Sequence, residues 1–504
     1  MSGNLYIQPS QPDVLEVIAN LSNDAVNTPP RVANAVLDLL PEKVWRDPNL
    51  RWLDPGSKTG VFPREITKRL MVGLAEVMPD EQARLEHILK NMVYAIATEP
   101  IAGMMTRRSL YCAKDATSLL SATQLSTSDG NVWQRRVEHV FDGKGRCTEC
   151  SGSKEQLEMP DRDNKAYGFI HLHGRKLIAK EINMKFDVIV GNPPYQMETG
   201  GSGRQAVPLY HLFVDEAKKL NPRHIAMIIP SRWFAGGLGL DAFRAEMLSD
   251  RRIRKLVDYL DVRDCFPGID LAGGVCYFMW DRDNPGPCEV ENRWSSRVWT
   301  SERTLDEFDI FVRMEPAVEI LRRVSAKGQE TILPLVSGVR PFGLATGDRP
   351  DRSGKLNLMS SGGNGPLRES RVTAGFDLIN KWKVVTSKAS HDHGGQPDKD
   401  GKRRVLSKTE ILGPGWVCTE SYIVLGAFDT KKKASNYLSY VKTSLFRFLV
   451  SLRSLSQDIT RDRFAFVPIQ DFTREWNDQD LYTLYNLSEE EVVFINSVIK
   501  EMPE

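Results

Sequence analysis

The tightest constraint on this chain's fold is short: an apolar run at 186–191 (FDVIVG) leads without a spacer into Asn192-Pro193-Pro194-Tyr195. A run of that character forms a buried strand, and two successive prolines end it, because they remove two donors and fix the backbone. The strand's carboxyl end therefore opens on a stiff loop. The same rhythm surrounds it. Residues 31–40 carry Val32, Val36, Leu37 and Leu40 at helical spacing, with Thr28 placed as N-cap and Pro29 and Pro30 suited to the first turn. A strand at 51–53, a helix at 63–78, a strand at 92–97 and a helix at 101–111 follow. Beyond the prolines come helix 208–220, strand 224–230, helix 239–249 and strands 254–260 and 274–280. Strands alternating with helices predict an α/β, Rossmann-like, doubly wound parallel sheet that holds ligands at the carboxyl ends of its strands.

Two stretches break the rhythm. Residues 112–185 are polar and rich in turns, with CTEC in their middle, and read as an inserted Cys/His subdomain. After about residue 300 the character changes again. Gly/Ser/Lys/Arg/Asp-rich loops at 346–375 and 388–408 are mixed with strand-like WKVVTS and WVCTESYIVLG, one amphipathic helix near 433–455, and a helix start at Ser488. The chain thus divides into residues 1–300 and a mixed α+β region, 301–504. The 67 Lys+Arg against 66 Asp+Glu exclude a wholly basic coat but not a locally basic groove. Candidate phosphate contacts are Arg251-Arg252-Ile253-Arg254-Lys255, Lys402-Arg403-Arg404, Lys431-Lys432-Lys433, Arg453, Arg461 and Arg463. No apolar run approaches the roughly 20 residues of a membrane span. Seven irregularly spaced cysteines do not form a disulfide framework, which points to a reducing cytoplasm.

Two motifs carry chemistry. The turn Asp54-Pro55-Gly56-Ser57-Lys58-Thr59-Gly60 joins a strand to a helix, and its glycines permit close backbone approach beside a helix N-terminus. Its spacing fits neither a phosphate loop nor the dinucleotide fingerprint. Glu99, after the next strand, is placed to accept both hydroxyl hydrogens of a ribose. Together they suit an adenosine-containing cofactor. In Asn192–Tyr195, an amide oxygen and the Pro193 carbonyl can accept the two hydrogens of an exocyclic amine while Tyr195 stacks on the ring. Acceptors set out of the ring plane favour a more tetrahedral nitrogen, whose lone pair can then attack an activated methyl.

These elements together resemble the S-adenosylmethionine-dependent N6-adenine DNA methyltransferases of the gamma motif order, as found in restriction–modification systems. The resemblance runs from Asn27-Thr28-Pro29-Pro30 through Asp54–Phe62 and Glu99 to Asn192–Tyr195, HIAMIIPSRWFAGG and GGVCYFMWDRD, roughly residues 20–285. It implies a methyltransferase sheet and a flipped adenine in double-stranded DNA. Asn192, Pro193, Pro194 and Tyr195 are then catalytic, and Thr28, Asp54, Pro55, Gly56, Gly60, Phe62, Glu99 and Asn192 hold the cofactor. Tyr277 and Phe278 are candidates for packing the base, and residues 301–504 fall where the family keeps its target-recognition domain. Lys58 departs from the pattern, standing where small residues are usual. An RNA-base or protein-glutamine methyltransferase, or a DNA-recognition subunit for a nuclease or helicase partner, shares parts of the same signature. No nuclease or helicase motif is present, so restriction would reside in a separate endonuclease or helicase subunit.

Cys147-Thr148-Glu149-Cys150 is a CxxC turn that can supply two ligands of a structural zinc site. Cys112 and His139 are the expected remaining ligands, with His171 a rival for either. Unliganded thiols and a redox pair are the other readings.

Overall fold

The computed structural model describes residues 27–158, 166–197, 207–235, 237, 239–269, 271, 273–294, 296–390, 392, 398, 400–454 and 458–502. The chain divides into two compact units after Asp309.

The first unit is built on a nine-stranded sheet. Its strands are β1 (Trp52–Ser57), β2 (Val93–Ala97), β3 (Val132–Trp133) and β4 (Val188–Gly191). A separate small hairpin follows, β5 (Gln196–Met197) and β6 (Val207–Pro208). The sheet resumes with β7 (His224–Pro230), β8 (Ile253–Tyr259), β9 (Val275–Asp281), β10 (Cys288–Trp294) and β11 (Arg297–Arg303). The order across the sheet is β11-β10-β8-β9-β7-β4-β1-β2-β3. The stretch β7-β4-β1-β2-β3 is parallel throughout. Every residue of β1, β4 and β7 is buried, as expected of parallel strands covered on both faces.

Three features differ from the sequence expectation. β9 runs antiparallel to both its neighbours, so the sheet is mostly, not wholly, parallel. Among the described residues, the link from β8 to β9 contains only the short helix Val262–Cys265, not the long crossover helix that usually carries a parallel step. The stretch taken as an insertion contains β3, which pairs with β2 through Ala95–Val132 and Ile96–Trp133. Two residues are too few to show a periodicity. Finally, β10 and β11 extend the sheet beyond the strands expected.

Helices α1 (Pro30–Leu37), α2 (Val61–Gly73) and α3 (Pro100–Tyr111) contribute to one hydrophobic core. Val32, Val36, Leu37, Phe62, Ile66, Leu70 and Leu110 join Val188, Val190, Tyr277 and Met279 there. Two further helices, α4 (Leu172–Glu181) and α5 (Tyr210–Lys219), precede β4 and β7. Strand register then builds the site. Ser57 of β1 lies opposite Ala97 of β2, and Leu53 opposite Ile189 of β4. The carboxyl ends of β1, β2 and β4 are therefore neighbours, at the point where the strand order turns from β1 to either side.

The second unit, from Ile310, holds two three-stranded sheets whose residues share a core that includes Leu358, Val385, Leu412 and Val424. The single amphipathic helix expected near 433–455 is two helices, Lys431–Lys442 and Ser444–Ser451. Thr443 is extended, and its hydroxyl caps the second helix by accepting from the Phe446 N–H. Among the described residues no helix is long and apolar enough to cross a membrane.

Candidate active site

The turn after β1 is shaped by what it excludes. The Asp54 carboxylate Oδ1 accepts from the Gly56 N–H at 3.2 Å, folding the turn back on the strand end. A Cβ on Gly191 would meet that oxygen at 2.8 Å, and one on Gly56 would meet the Pro193 Cα at 3.3 Å. The two loops approach closely because neither carries a side chain at the crossing. Gly60 has φ +77°, and a Cβ there would lie 2.8 Å from the Thr106 Cα of α3. α3 clamps the turn from outside: Ser57 Oγ bonds Thr106 Oγ1 at 3.0 Å, and Ser109 donates to the Thr59 carbonyl at 2.6 Å. The Thr98 N–H donates to the Ser57 carbonyl at 3.1 Å, which brings Glu99, exposed at the next position, up to the turn.

Thr28, Asp54, Gly56, Lys58, Thr59, Gly60, Val61, Phe62 and Asn192 line one cleft. Pro55 is buried behind it, next to where a Gly191 Cβ would stand. Burial pushes the Asp54 carboxyl up to about 7, against the pull of the Gly56 N–H, Ser57 and Lys58. Burial also pushes the Lys58 ammonium down to about 8, against attraction from Asp54 and Glu99.

Asn192, which follows β4, is buried, and its Nδ2 donates to Thr28 Oγ1 at 3.0 Å across 164 positions of sequence. Thr28 is therefore not the cap of α1: that position falls to Pro29, without a side-chain bond. The threonine hydroxyl instead fixes the asparagine amide. Pro193 and Pro194 are buried, and Tyr195 is half-buried against the core. Burial holds the Tyr195 phenol well above its usual range, with the Asn192 side chain acting against the shift. The Tyr195 carbonyl accepts from the Leu209 N–H at 3.1 Å, tying the loop to the start of α5.

The structure separates the two aromatic candidates on β9. Tyr277 lies on the core face that Tyr195 also packs against, with its ring 6.1 Å from that of Tyr259. Phe278 is the next residue of the strand, so it points to the opposite face, where it is completely buried. Tyr259, at the end of β8, was not anticipated; its place at a strand's carboxyl end was the one available signal.

The metal candidates also rearrange. His139, Cys147, Cys150 and His171 place one ligand atom each within 4.8 Å of one another. Cys112 is outside this cluster. It ends α3 in the left-handed conformation and is exposed, because the preceding Tyr111 is drawn into the core. His171, at the start of α4, takes the expected fourth place.

Most of the basic runs are committed within their own unit. Arg252 pairs with Asp250 and lies over Trp280, while Arg254 donates to the Pro287 and Asn284 carbonyls. Arg403 donates to the Ser451 and Ser454 carbonyls, Arg463 to that of Arg453, and Arg453 lies over Phe466. Lys431, Lys432 and Lys433 remain exposed.

Residues 91–266 match the Eco57I restriction-modification methylase family. An uncharacterised adenine-specific methylase of Mycoplasma pneumoniae is 32% identical over 325 residues, covering 60% of this chain and 77% of that protein. A type I restriction–modification complex aligns at 16% identity and TM-score 0.34, covering 55% of this chain and 47% of the other, so this chain spans about half its length. The type IIL enzyme MmeI in complex with DNA aligns at 9% identity and TM-score 0.46, covering 86% of this chain and 62% of the other. By its identity to the Mycoplasma protein and the share of it that is covered, this chain belongs to the adenine-specific methylase family.

Proposed function

We propose that the chain transfers a methyl group from S-adenosylmethionine to the N6 amine of an adenine flipped out of double-stranded DNA, at a specific target sequence. The observation that carries this reading is the Thr28–Asn192 hydrogen bond, which fixes the amide beside the glycine turn at the ends of β1 and β4. The cleft's chemistry fits the cofactor. A buried carboxyl at Asp54 favours a ligand bearing positive charge, Glu99 suits ribose hydroxyls, and Gly56 and Gly60 let the turn pack directly on the Pro193 and Thr106 backbones that frame the cleft. Val61 and Phe62 supply its apolar lining, with Pro55 behind, and Lys58 offers a cation to a ligand carboxylate. When bound, the cofactor supplies a methyl on a sulfonium, an electrophile that needs only an oriented nucleophile.

The chain's own residues supply that orientation. The Asn192 Oδ1 and the Pro193 carbonyl accept the two amine hydrogens, and the positive charge developing on nitrogen is stabilised by dipoles already in place. Pro194 keeps the backbone rigid, and Tyr195 stacks on the base, with Tyr277 on the same core face. Drawing the adenine from the duplex costs a few kcal/mol, offset by these contacts. The unit from Ile310 onward is the target-recognition part, with Lys431–Lys433 as phosphate contacts that position without specifying. A separate restriction endonuclease or helicase subunit is the expected partner. The Cys/His cluster is structural and takes no part in methyl transfer.

The test uses purified protein, unmethylated plasmid and S-adenosylmethionine, with N6-methyladenine read by mass spectrometry of the digested DNA. Methylation by wild type but not by Asn192→Ala supports the assignment. Equal turnover by both would overturn it, and product on RNA or a glutamine amide alone would reassign the substrate.

A further inference from the structure

We infer that His139, Cys147, Cys150 and His171 form a closed, tetrahedral zinc site that braces the short strand β5 just after Tyr195. The spacing of the ligand atoms makes the case. A tetrahedron with Zn–S of about 2.3 Å and Zn–N of about 2.0 Å has N···S edges of roughly 3.6 Å. The His139 Nδ1 lies 3.4 Å from the Cys147 sulfur and 3.5 Å from the Cys150 sulfur. Both thiols are free, buried and accompanied by two imidazoles, a setting that suits a metal better than a redox pair. His171 is oriented from behind. Its Nδ1 bonds the Tyr167 carbonyl at 2.9 Å, which leaves Nε2 as the lone-pair nitrogen, buried and with no hydrogen-bond partner. Metal-bound histidines are commonly held by such a backbone carbonyl at the far nitrogen. The CxxC turn is itself tight: the Ser151 N–H donates to the Cys147 carbonyl and the Cys147 N–H to the Gly152 carbonyl. Four protein ligands leave no coordination position for water, so the ion would be structural.

The position of the cluster gives it a further role. A Cβ on Gly152, two residues past Cys150, would meet the Met197 sulfur at 3.0 Å, and Met197 lies two residues past Tyr195. On the other side, the Tyr167 and Phe169 rings lie 5.9 and 5.8 Å from Phe213 of α5. Phe213 in turn would be 3.6 Å from a Cβ on Gly56 of the cofactor turn. The metal ties His139, which follows β3, to His171 at the start of α4. That closure holds both Gly152 and the Tyr167–Phe169 segment against the active-site loops.

The test is metal analysis of the full-length protein purified without a histidine tag, with Cys147→Ser, His171→Ala and Cys112→Ser alongside. One zinc per chain is expected in wild type and in Cys112→Ser, with loss in the other two. Exchange of zinc for Co²⁺ should give the intense ligand-field bands of a tetrahedral thiolate centre, an assay that does not depend on the variants folding. Hydrogen exchange after chelation should rise at 137–157, 166–175 and 196–197 but not in β7. Absence of zinc together with failure to take up Co²⁺ overturns the site, and so does full metal in His171→Ala. Metal loss without faster exchange at 196–197 overturns the bracing. None of these readouts involves methyl transfer, so they stand apart from the fate of the catalytic reading.

Discussion

At the ends of β1, β2 and β4 side chains are kept away: Gly56, Gly60 and Gly191 each stand where a Cβ would strike a neighbour. In the Cys/His cluster the reverse holds, with four side chains driven together within 4.8 Å. The first arrangement lets the backbones around the cleft pack on one another, so that the cleft's shape is set without side chains. The second suits the zinc ion proposed for it. The contrast teaches where function and stability are exposed to mutation. Losing a side chain in the cleft should remove chemistry and spare the fold, whereas losing one in the cluster should loosen the fold around the chemistry.

Asn192→Ala breaks the comparison most sharply if it fails. It removes a preorganised acceptor and leaves Thr28 without its donor, with no change to the sheet. Methyl transfer should fall by on the order of 10²–10³ or more, the usual cost of one oriented transition-state contact. Cofactor affinity, measured by calorimetry, should change little. A variant that lost cofactor binding and catalysis equally would mean that Asn192 serves mainly to shape the cleft.

Gly60→Ala asks the opposite question, whether added matter is as harmful as lost function. At φ +77° an alanine costs about 1–2 kcal/mol before its Cβ meets the Thr106 backbone 2.8 Å away. A lowered melting temperature and weaker cofactor binding should appear together. Gly143→Ala, in the Cys/His lobe, is the control: nothing lies within 4 Å of its Cβ and the backbone there does not require glycine. Its melting temperature should match wild type.

The buried Asp54 gives the cleft a pH signature of its own. Its folded value, about 7, lies above the ordinary 3.8. The stability that the bound proton contributes without ligand is therefore complete below 3.8 and is lost as pH rises through about 7. A cationic ligand favours the carboxylate, so its binding must release that proton. Affinity for S-adenosylmethionine should rise with pH by up to about tenfold per unit and level off near 7, while Lys58 keeps its proton until about 8. Titrations from about pH 5 to about pH 8 measure the slope, and Asp54→Asn should abolish it. A slope unchanged in that variant would place the titrating group elsewhere.

What could be read from the sequence followed how local each feature is. The glycine turn at 54–60 and the tetrapeptide at 192–195 are each fixed within a few residues, so their place at strand ends followed from the runs before them. The CxxC turn is equally local, and two of the four clustered side chains came from it. His171 was only a rival, because its approach to Cys150 is set by how the chain returns through Tyr167 to α4. β3 was invisible at two residues, and β9's direction depends on a connection that lacks a covering helix. Phe278 was named beside Tyr277 because adjacent residues look alike in sequence, whereas a strand sends them to opposite faces.

Thr28 shows the same principle at the smallest scale. Locally it is a good helix cap, yet its hydroxyl accepts from Asn192, 164 positions away, and α1 begins without a side-chain cap. Thr28→Val keeps the shape and removes the hydroxyl. As a cap, its loss would lower stability by about 1 kcal/mol and leave turnover alone. As the anchor of the amide, its loss should free Asn192 to rotate, lowering kcat roughly tenfold, the equivalent of about 1.4 kcal/mol. The melting temperature should fall as well, because the buried Asn192 Nδ2 loses its acceptor, so turnover is the discriminating readout, and Thr28→Ser should restore it. A kcat that held while the melting temperature fell would return Thr28 to the helix and leave the asparagine to be positioned by its own rigid loop.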